Sequence, residues 1–214
     1  MDRKIIILGC GPGASDLLTV KGQKVLENAN VIVGSKRLID DFNRNNAALV
    51  IPLENNYEEI FNKVDQLKGY QNIVFLVSGD PLFCSFGALV INRFGKERCE
   101  IIPGVSSFQY AFCMLKESWK DYKLFSLHGN SKVDIPALFQ ENYNFALLLD
   151  PEHNLKFIKK RLLEAPEPEF DFFLCSNLSL EEEKVREISF EDFDKVQQES
   201  LSILIGKKKG KKKL

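Results

Sequence analysis

Three short apolar runs stop abruptly at turns that carry glycine, and this limits the folds open to the chain more than any other feature. Ile5-Ile6-Ile7-Leu8 ends at Gly9. The run over residues 73–77 ends at Ser78-Gly79-Asp80-Pro81, and the run over residues 99–102 ends at Pro103-Gly104. The first two of these runs, continuous, apolar and largely β-branched, predict buried strands of the parallel-sheet kind, and residues 99–102 read as a further strand. Between them lies helical spacing: residues 17–28, then 57–67 with Ile60, Phe61, Val64 and Leu67 in phase, then 86–94 and 106–115. Ser15 or Asp16 can cap the first of these helices. Residues 31–33 read as a further short strand and residues 50–53 as a weaker one. Strand–helix alternation predicts an α/β unit on a mostly parallel sheet, whose ligands sit beyond the carboxyl ends of the strands. The three glycine turns converge on that end.

The pattern restarts near Lys123. Residues 124–127 predict a strand ending at His128-Gly129, residues 145–149 one ending at Asp150-Pro151, and residues 170–175 one ending at Ser176-Asn177. Residues 201–205 are a last strand, and residues 154–163 and 180–186 have helical character. No apolar period runs through residues 116–121, so a boundary is expected there: one α/β domain over 1–118 and a second over 119–206. Residues 207–213 hold six lysines in seven positions. Such a run repels itself, and a disordered basic tail over 207–214 is expected.

Bulk properties narrow the function. With 29 basic and 30 acidic residues the net charge is -1, so no global field draws the chain to nucleic acid or an anionic membrane. The five cysteines form no CxxC pair, and His128 and His153 are the only histidines. No disulfide framework and no metal site is expected, and a reducing compartment suits the thiols. The apolar run behind Met1-Asp2-Arg3-Lys4 is too short for a signal peptide or a membrane span, so a cytoplasmic protein is expected.

Gly9-Cys10-Gly11-Pro12-Gly13-Ala14 matches the dinucleotide pattern GxGxxG/A, a weak signal. Pro12 has no N–H for a phosphate. The ribose-binding acid is missing too, because the second strand ends Val33-Gly34-Ser35. No GK[ST] follows, so a Walker A reading fails. Alone, the stretch is a tight turn that lets strand and helix pack closely.

Taken in order, GCGPGASDLLT (residues 9–19), SGDPLF (78–83), IPGVSSFQ (102–109) and SLHG (126–129) resemble the tetrapyrrole methylase family along nearly the whole chain. IPGVSSFQ followed by SLHG, with VGSKRL (33–38), is most similar to the branch that methylates C5 of a late corrin intermediate in cobalamin biosynthesis. The resemblance implies two α/β domains with the active-site cleft between them and S-adenosylmethionine as methyl donor, leaving S-adenosylhomocysteine. It places donor contacts at Pro12, Gly79, Asp80, Phe83, Ser106 and Ser107, and in the second domain at Leu149, Asn177 and Leu178. It also implies a small-molecule tetrapyrrole substrate and a homodimer. No decarboxylating methylase follows in the chain, so the C15 step would fall to a separate protein.

Asp80, Ser106 and Ser107 each have a plainer role. Asp80 can serve the turn before Pro81 by bonding its own backbone, and Ser106 or Ser107 can cap the helix they open. A macrocycle rimmed with carboxylates needs cationic partners. Arg37, in the loop after the second strand, is the first candidate, with Lys36 and Lys132 behind it; the alternative for all three is a solvated charge. His128 either faces the substrate or is a satisfied histidine at a strand end. Asn130 stands where the branch commonly has arginine, so Lys132 is a substitute candidate. Carbon methylation needs no dedicated base when the acceptor carbon is enamine-like, and no catalytic residue is assigned. The rival readings are a methylase of the same superfamily with another acceptor (a diphthamide precursor or ribosomal RNA), and a non-catalytic binding protein that keeps the fold.

Overall fold

The structure is a computed structural model that describes residues 4–43, 48–54, 56–128, 132–140, 143–163 and 168–209. The chain divides into two compact units, Met1–Ser107 and Phe108–Leu214.

In the first unit the apolar runs form β1 (Lys4–Gly9), β2 (Val31–Gly34), β3 (Leu49–Pro52), β4 (Asn72–Val77) and β5 (Cys99–Ile102), all parallel, in the order β3-β2-β4-β1-β5. α1 (Val20–Glu27), α2 (Lys36–Phe42), α3 (Tyr57–Gln66) and α4 (Gly87–Phe94) connect them. Leu26 of α1 and Leu38, Ile39 and Phe42 of α2 pack on the face of Ile6, Leu8, Val74 and Leu76. Ile60, Phe61 and Val64 of α3 and Val90 and Phe94 of α4 cover the opposite face, on Ile5, Ile7, Ile73 and Phe75. β1 and β4 are thus buried on both sides, which is why they read as unbroken apolar runs. In α3 the Asn56 side chain accepts from the Glu59 N–H at 3.3 Å to cap the helix, and its apolar stripe is fully buried. Each such side chain contributes about 1.5–3 kcal/mol on burial.

Three local elements differ from what the sequence predicts. Residues 15–17 form a separate 3-10 turn, and α1 begins after Thr19, whose hydroxyl accepts from the Gly22 N–H at 3.1 Å; the cap is Thr19 rather than Ser15 or Asp16. Arg37 lies in a helix, not a loop: Ser35 caps α2 through the Leu38 N–H at 3.4 Å. Residues 180–186 are not a helix. β9 (Lys184–Ile188) pairs antiparallel with β8 (Phe170–Ser176), and sheet pairing overrides the local helical spacing.

The second unit opens with α5 (Ser107–Leu115), then β6 (Tyr122–Ser126), α6 (Ile135–Gln140), β7 (Asn144–Leu148), α7 (Leu155–Arg161), β8, β9 and β10 (Ser202–Lys208). The sheet order is β6-β7-β10-β8-β9, with β6 and β7 parallel and the other pairs antiparallel. The division falls earlier than residue 118 because α5 buries Phe108, Ala111 and Phe112 against Tyr122, Ala146, Ile203 and Ile205. The basic segment is not a tail from Lys207 onward. Lys207 and Lys208 pair with Asp171 and Phe170 in β10, and the Lys209 N–H donates to the Glu169 carbonyl at 3.0 Å. Backbone pairing, with an ion pair from Lys207 Nζ to Glu117 Oε1 at 2.8 Å, offsets the lysine repulsion there. Residues 210–214 lie outside the described residues.

Candidate active site

β1 and β4 are neighbours, yet the chain leaves them toward opposite faces: α1 follows β1 on one face and α4 follows β4 on the other. The carboxyl ends of this pair are therefore the switch point of the sheet, where ligands of open α/β sheets bind. Here two loops meet. The Gly79 N–H donates to the Gly11 carbonyl at 2.8 Å, the Gly11 N–H donates back to Gly79 at 3.4 Å, and the Cys10 N–H donates to Val77 at 2.8 Å.

The turn after β5 presses into the same place. A Cβ on Gly9 would lie 2.6 Å from both the Gly104 nitrogen and the Gly79 carbonyl oxygen, and one on Gly104 would lie 2.4 Å from that same oxygen. Only bare backbone allows three strand ends to approach this closely. Gly79 has φ +63°, and a Cβ built on it would lie 3.8 Å from Ser106 Cα and 3.9 Å from Ser107 N. Gly79, Ser106 and Ser107 are thus brought together, with Pro12 buried in the first turn. The Asp80 carboxylate takes its turn role: Oδ1 accepts from the Leu82 N–H at 2.9 Å. Phe83 is partly exposed beyond it, its N–H donating to the Asp80 carbonyl at 3.4 Å.

Because β2 lies beside β4, α2 starts next to the same turn. Arg37 uses the position: Nη2 donates to Ser78 Oγ at 3.1 Å and Nη1 to Asp41 Oδ2 at 3.5 Å. A guanidinium carries five N–H donors, so three remain for a carboxylate. Lys36 is exposed. Ser78, which ties Arg37 to the turn, was not singled out from sequence, although it opens the SGDP motif. The Cys10 thiol is fully buried and pushed up to about 12 by that burial, so it is a packing residue rather than a nucleophile.

In the second unit the candidates line one edge of the sheet, where β6, β7 and β8 end and β10 begins. Ser126 pairs with Leu148, Leu148 with Ile203, and Ser202 with Ser176. The Leu149 N–H donates to Ser202 at 3.0 Å and the Asn177 N–H to Leu201 at 2.9 Å. Asn177 and Ser179 have φ of 49° and 64°, a conformation costing about 1–3 kcal/mol at a non-glycine residue. Leu149 and Leu178 are buried. His128 is exposed, its N–H donating to Ser126 Oγ at 3.1 Å, and Lys132 is exposed. Gly129 and Asn130 lie outside the described residues. Among the described residues no group of three or more His, Cys, Asp or Glu could hold a metal ion, and no helix is long and apolar enough to cross a membrane.

Residues 4–194 match the tetrapyrrole (corrin/porphyrin) methylases. The chain belongs to this family. It is 34% identical over 200 residues to the "probable cobalt-precorrin-7 C(5)-methyltransferase" of Methanocaldococcus jannaschii, an alignment that takes in 88% of this chain and 93% of the relative. The cobalt-precorrin-4 C(11)-methyltransferase of the same organism is 36% identical, but over 54% of this chain and 47% of its own. Among solved structures, the uroporphyrin-III C-methyltransferase of Thermus thermophilus complexed with S-adenosylhomocysteine has a TM-score of 0.79 at 20% identity and covers 95% of this chain and 96% of that one, which shows the shared fold.

Proposed function

We propose that the chain is an S-adenosylmethionine-dependent methyltransferase acting on C5 of a late corrin intermediate of the cobalt-precorrin-7 type. The likeness to a C5-methyltransferase along nearly the full length of both chains carries the acceptor, since the C11-methyltransferase is matched over only about half of each. The glycine-built switch point supports the donor. When bound, S-adenosylmethionine supplies an electrophilic methyl group on a sulfonium sulfur.

The chain's own residues bind and orient. Gly79, with no side chain beside Ser106 and Ser107, leaves the backbone open to close approach, and this is the observation that fits the donor. Pro12, Asp80 and Phe83 complete the first unit's contacts, and Leu149, Asn177 and Leu178 are those of the second. Arg37 holds a substrate carboxylate with the guanidinium N–H groups that Ser78 and Asp41 leave over; in the second unit His128 and Lys132 are the candidates for substrate carboxylates. Positioning two reactants for an in-line displacement can supply up to several kcal/mol without a base. The same reading includes a cytoplasmic homodimer, whose five cysteines are free thiols.

Mass spectrometry of a late corrin precursor incubated with the protein and S-adenosylmethionine tests this. One added methyl group, located at C5, is the expected result. No gain while S-adenosylhomocysteine still binds would move the acceptor elsewhere in the family, and no binding at all would sink the enzyme.

A further inference from the structure

The loop joining β8 to β9 is held in a shape its residues disfavour. Asn177 tolerates positive φ fairly well; Ser179, at φ 64°, does not. Such a backbone persists only where its surroundings over-determine it, and it marks functional sites when it does. Hydrogen bonds from both backbone and side chain act here. The Asn177 N–H donates to Leu201 at 2.9 Å, the Leu180 N–H to Asn177 at 3.0 Å, and the Glu183 N–H to Leu180 at 3.0 Å. Another is accepted by a side chain: the Ser179 N–H donates to Glu183 Oε2 at 2.6 Å. Glu183 is half-buried just ahead of β9, where Ser176 pairs with Lys184, so its carboxylate reaches back across the loop. Its charge is also felt at Cys175, whose thiol is pushed up to about 12, by burial first and Glu183 second.

We infer that Glu183 is the positioning residue for the second unit's donor turn: by holding the Ser179 N–H, its carboxylate fixes the backbone in which Asn177 and Leu178 meet S-adenosylmethionine. This rests on the reading that the turn contacts the donor. It assigns a role to a residue that touches neither donor nor substrate. An acceptor at Glu183 is what the geometry requires, so the amide oxygen of glutamine serves and alanine does not. Removing the strain at Ser179 should make the clamp dispensable, because glycine holds positive φ without help.

The test is calorimetric titration of the full chain with S-adenosylhomocysteine, with thermal unfolding run in parallel. Glu183→Ala should raise the Kd about tenfold in a protein that is still folded at the titration temperature, as losing a charge-assisted hydrogen bond predicts. Glu183→Gln should stay within about twofold of the parent, since a neutral acceptor keeps the bond. Adding Ser179→Gly to Glu183→Ala should restore tight binding, and this double variant serves as well if Glu183→Ala alone fails to fold. Equal losses in Glu183→Gln and Glu183→Ala would overturn the inference. So would parental affinity in Glu183→Ala while Asn177→Ala binds weakly, an outcome that keeps the turn as a donor contact and removes Glu183 from it. Parental affinity in both Asn177→Ala and Glu183→Ala would remove the turn from the donor site altogether.

Discussion

The Arg37 guanidinium donates to the Ser78 hydroxyl at 3.1 Å, across 41 positions of sequence, and so ties the start of α2 to the turn that carries Gly79 and Asp80. A substrate carboxylate held by Arg37 would be fixed relative to that turn. Arg37→Ala should therefore raise the KM for the corrin about tenfold and the Kd for S-adenosylhomocysteine only about threefold, since the hydroxyl contact is partly exposed and worth less than a charge pair. Ser78→Ala should reproduce the small donor effect and leave the KM alone. Arg37→Lys should not recover the arginine value, because one ammonium cannot span both partners as a planar fork does. Steady-state kinetics on the three variants, with donor titrations, check this; equal KM values for parent and Arg37→Ala would place the carboxylate contact elsewhere.

Asp80 separates its two roles by substitution. Its Oδ1 accepts the Leu82 N–H, a bond that asparagine can also make. If the other oxygen binds the donor, Asp80→Asn should keep the melting temperature and weaken S-adenosylhomocysteine by about tenfold, because the amide nitrogen that replaces this oxygen cannot accept a hydrogen bond. Asp80→Ala should lose both affinity and stability. Asp80→Asn with parental affinity would leave Asp80 as a turn residue alone.

What could be read ahead follows from what leaves a mark on local sequence. Strands buried on both faces cannot carry polar residues, so β1 and β4 announce themselves as apolar runs, and the turns after β1, β4 and β5 include the glycines that the close packing of Gly9, Gly79 and Gly104 requires. The switch point was therefore legible before any coordinate. α2 was not, because Lys36-Arg37 opens it inside a segment that also reads as a loop, and its Ser35 cap resembles any turn serine. β9 is hidden for the opposite reason: the segment leading into it has helical spacing, and only pairing with β8 decides the outcome. Glu183 and Ser78 act through contacts that local pattern does not encode.

Crowding at the three strand ends leaves Gly9 and Gly104 no room for a methyl group. In each case the new Cβ would lie 2.4–2.8 Å from atoms that are mostly backbone, which cannot rotate away. Gly9→Ala or Gly104→Ala should cost about 3 kcal/mol or more, at or beyond the upper end of ordinary overpacking. Urea denaturation gives the number, and a loss below about 1 kcal/mol would mean the turns separate more easily than their packing suggests. Gly69, with nothing within 4 Å of a Cβ, lacks this clash but has φ +84°, so Gly69→Ala isolates the cost of backbone strain alone.

The buried thiols set the alkaline limit of stability. Burial pushes Cys10 and Cys175 from an ordinary 9.0 up to about 12, so both stay protonated in the folded state at a pH where the unfolded chain has lost those protons. The folded value is the raised one; the stabilisation is complete below pH 9 and is lost as pH climbs from there toward 12. The slope is about 1.4 kcal/mol per pH unit for each thiol over that window, so the pair should remove roughly 3 kcal/mol between pH 8 and pH 10. Cys10→Ala with Cys175→Ala is less stable than the parent at pH 8, because two side chains leave the core, but its stability should change far less on going to pH 10. The comparison is of differences between the two pH values, so the cavity cost cancels. Denaturation curves with the same pH dependence in parent and double variant would show that other groups, such as the buried Tyr122 hydroxyl bonded to Glu117, govern the alkaline transition.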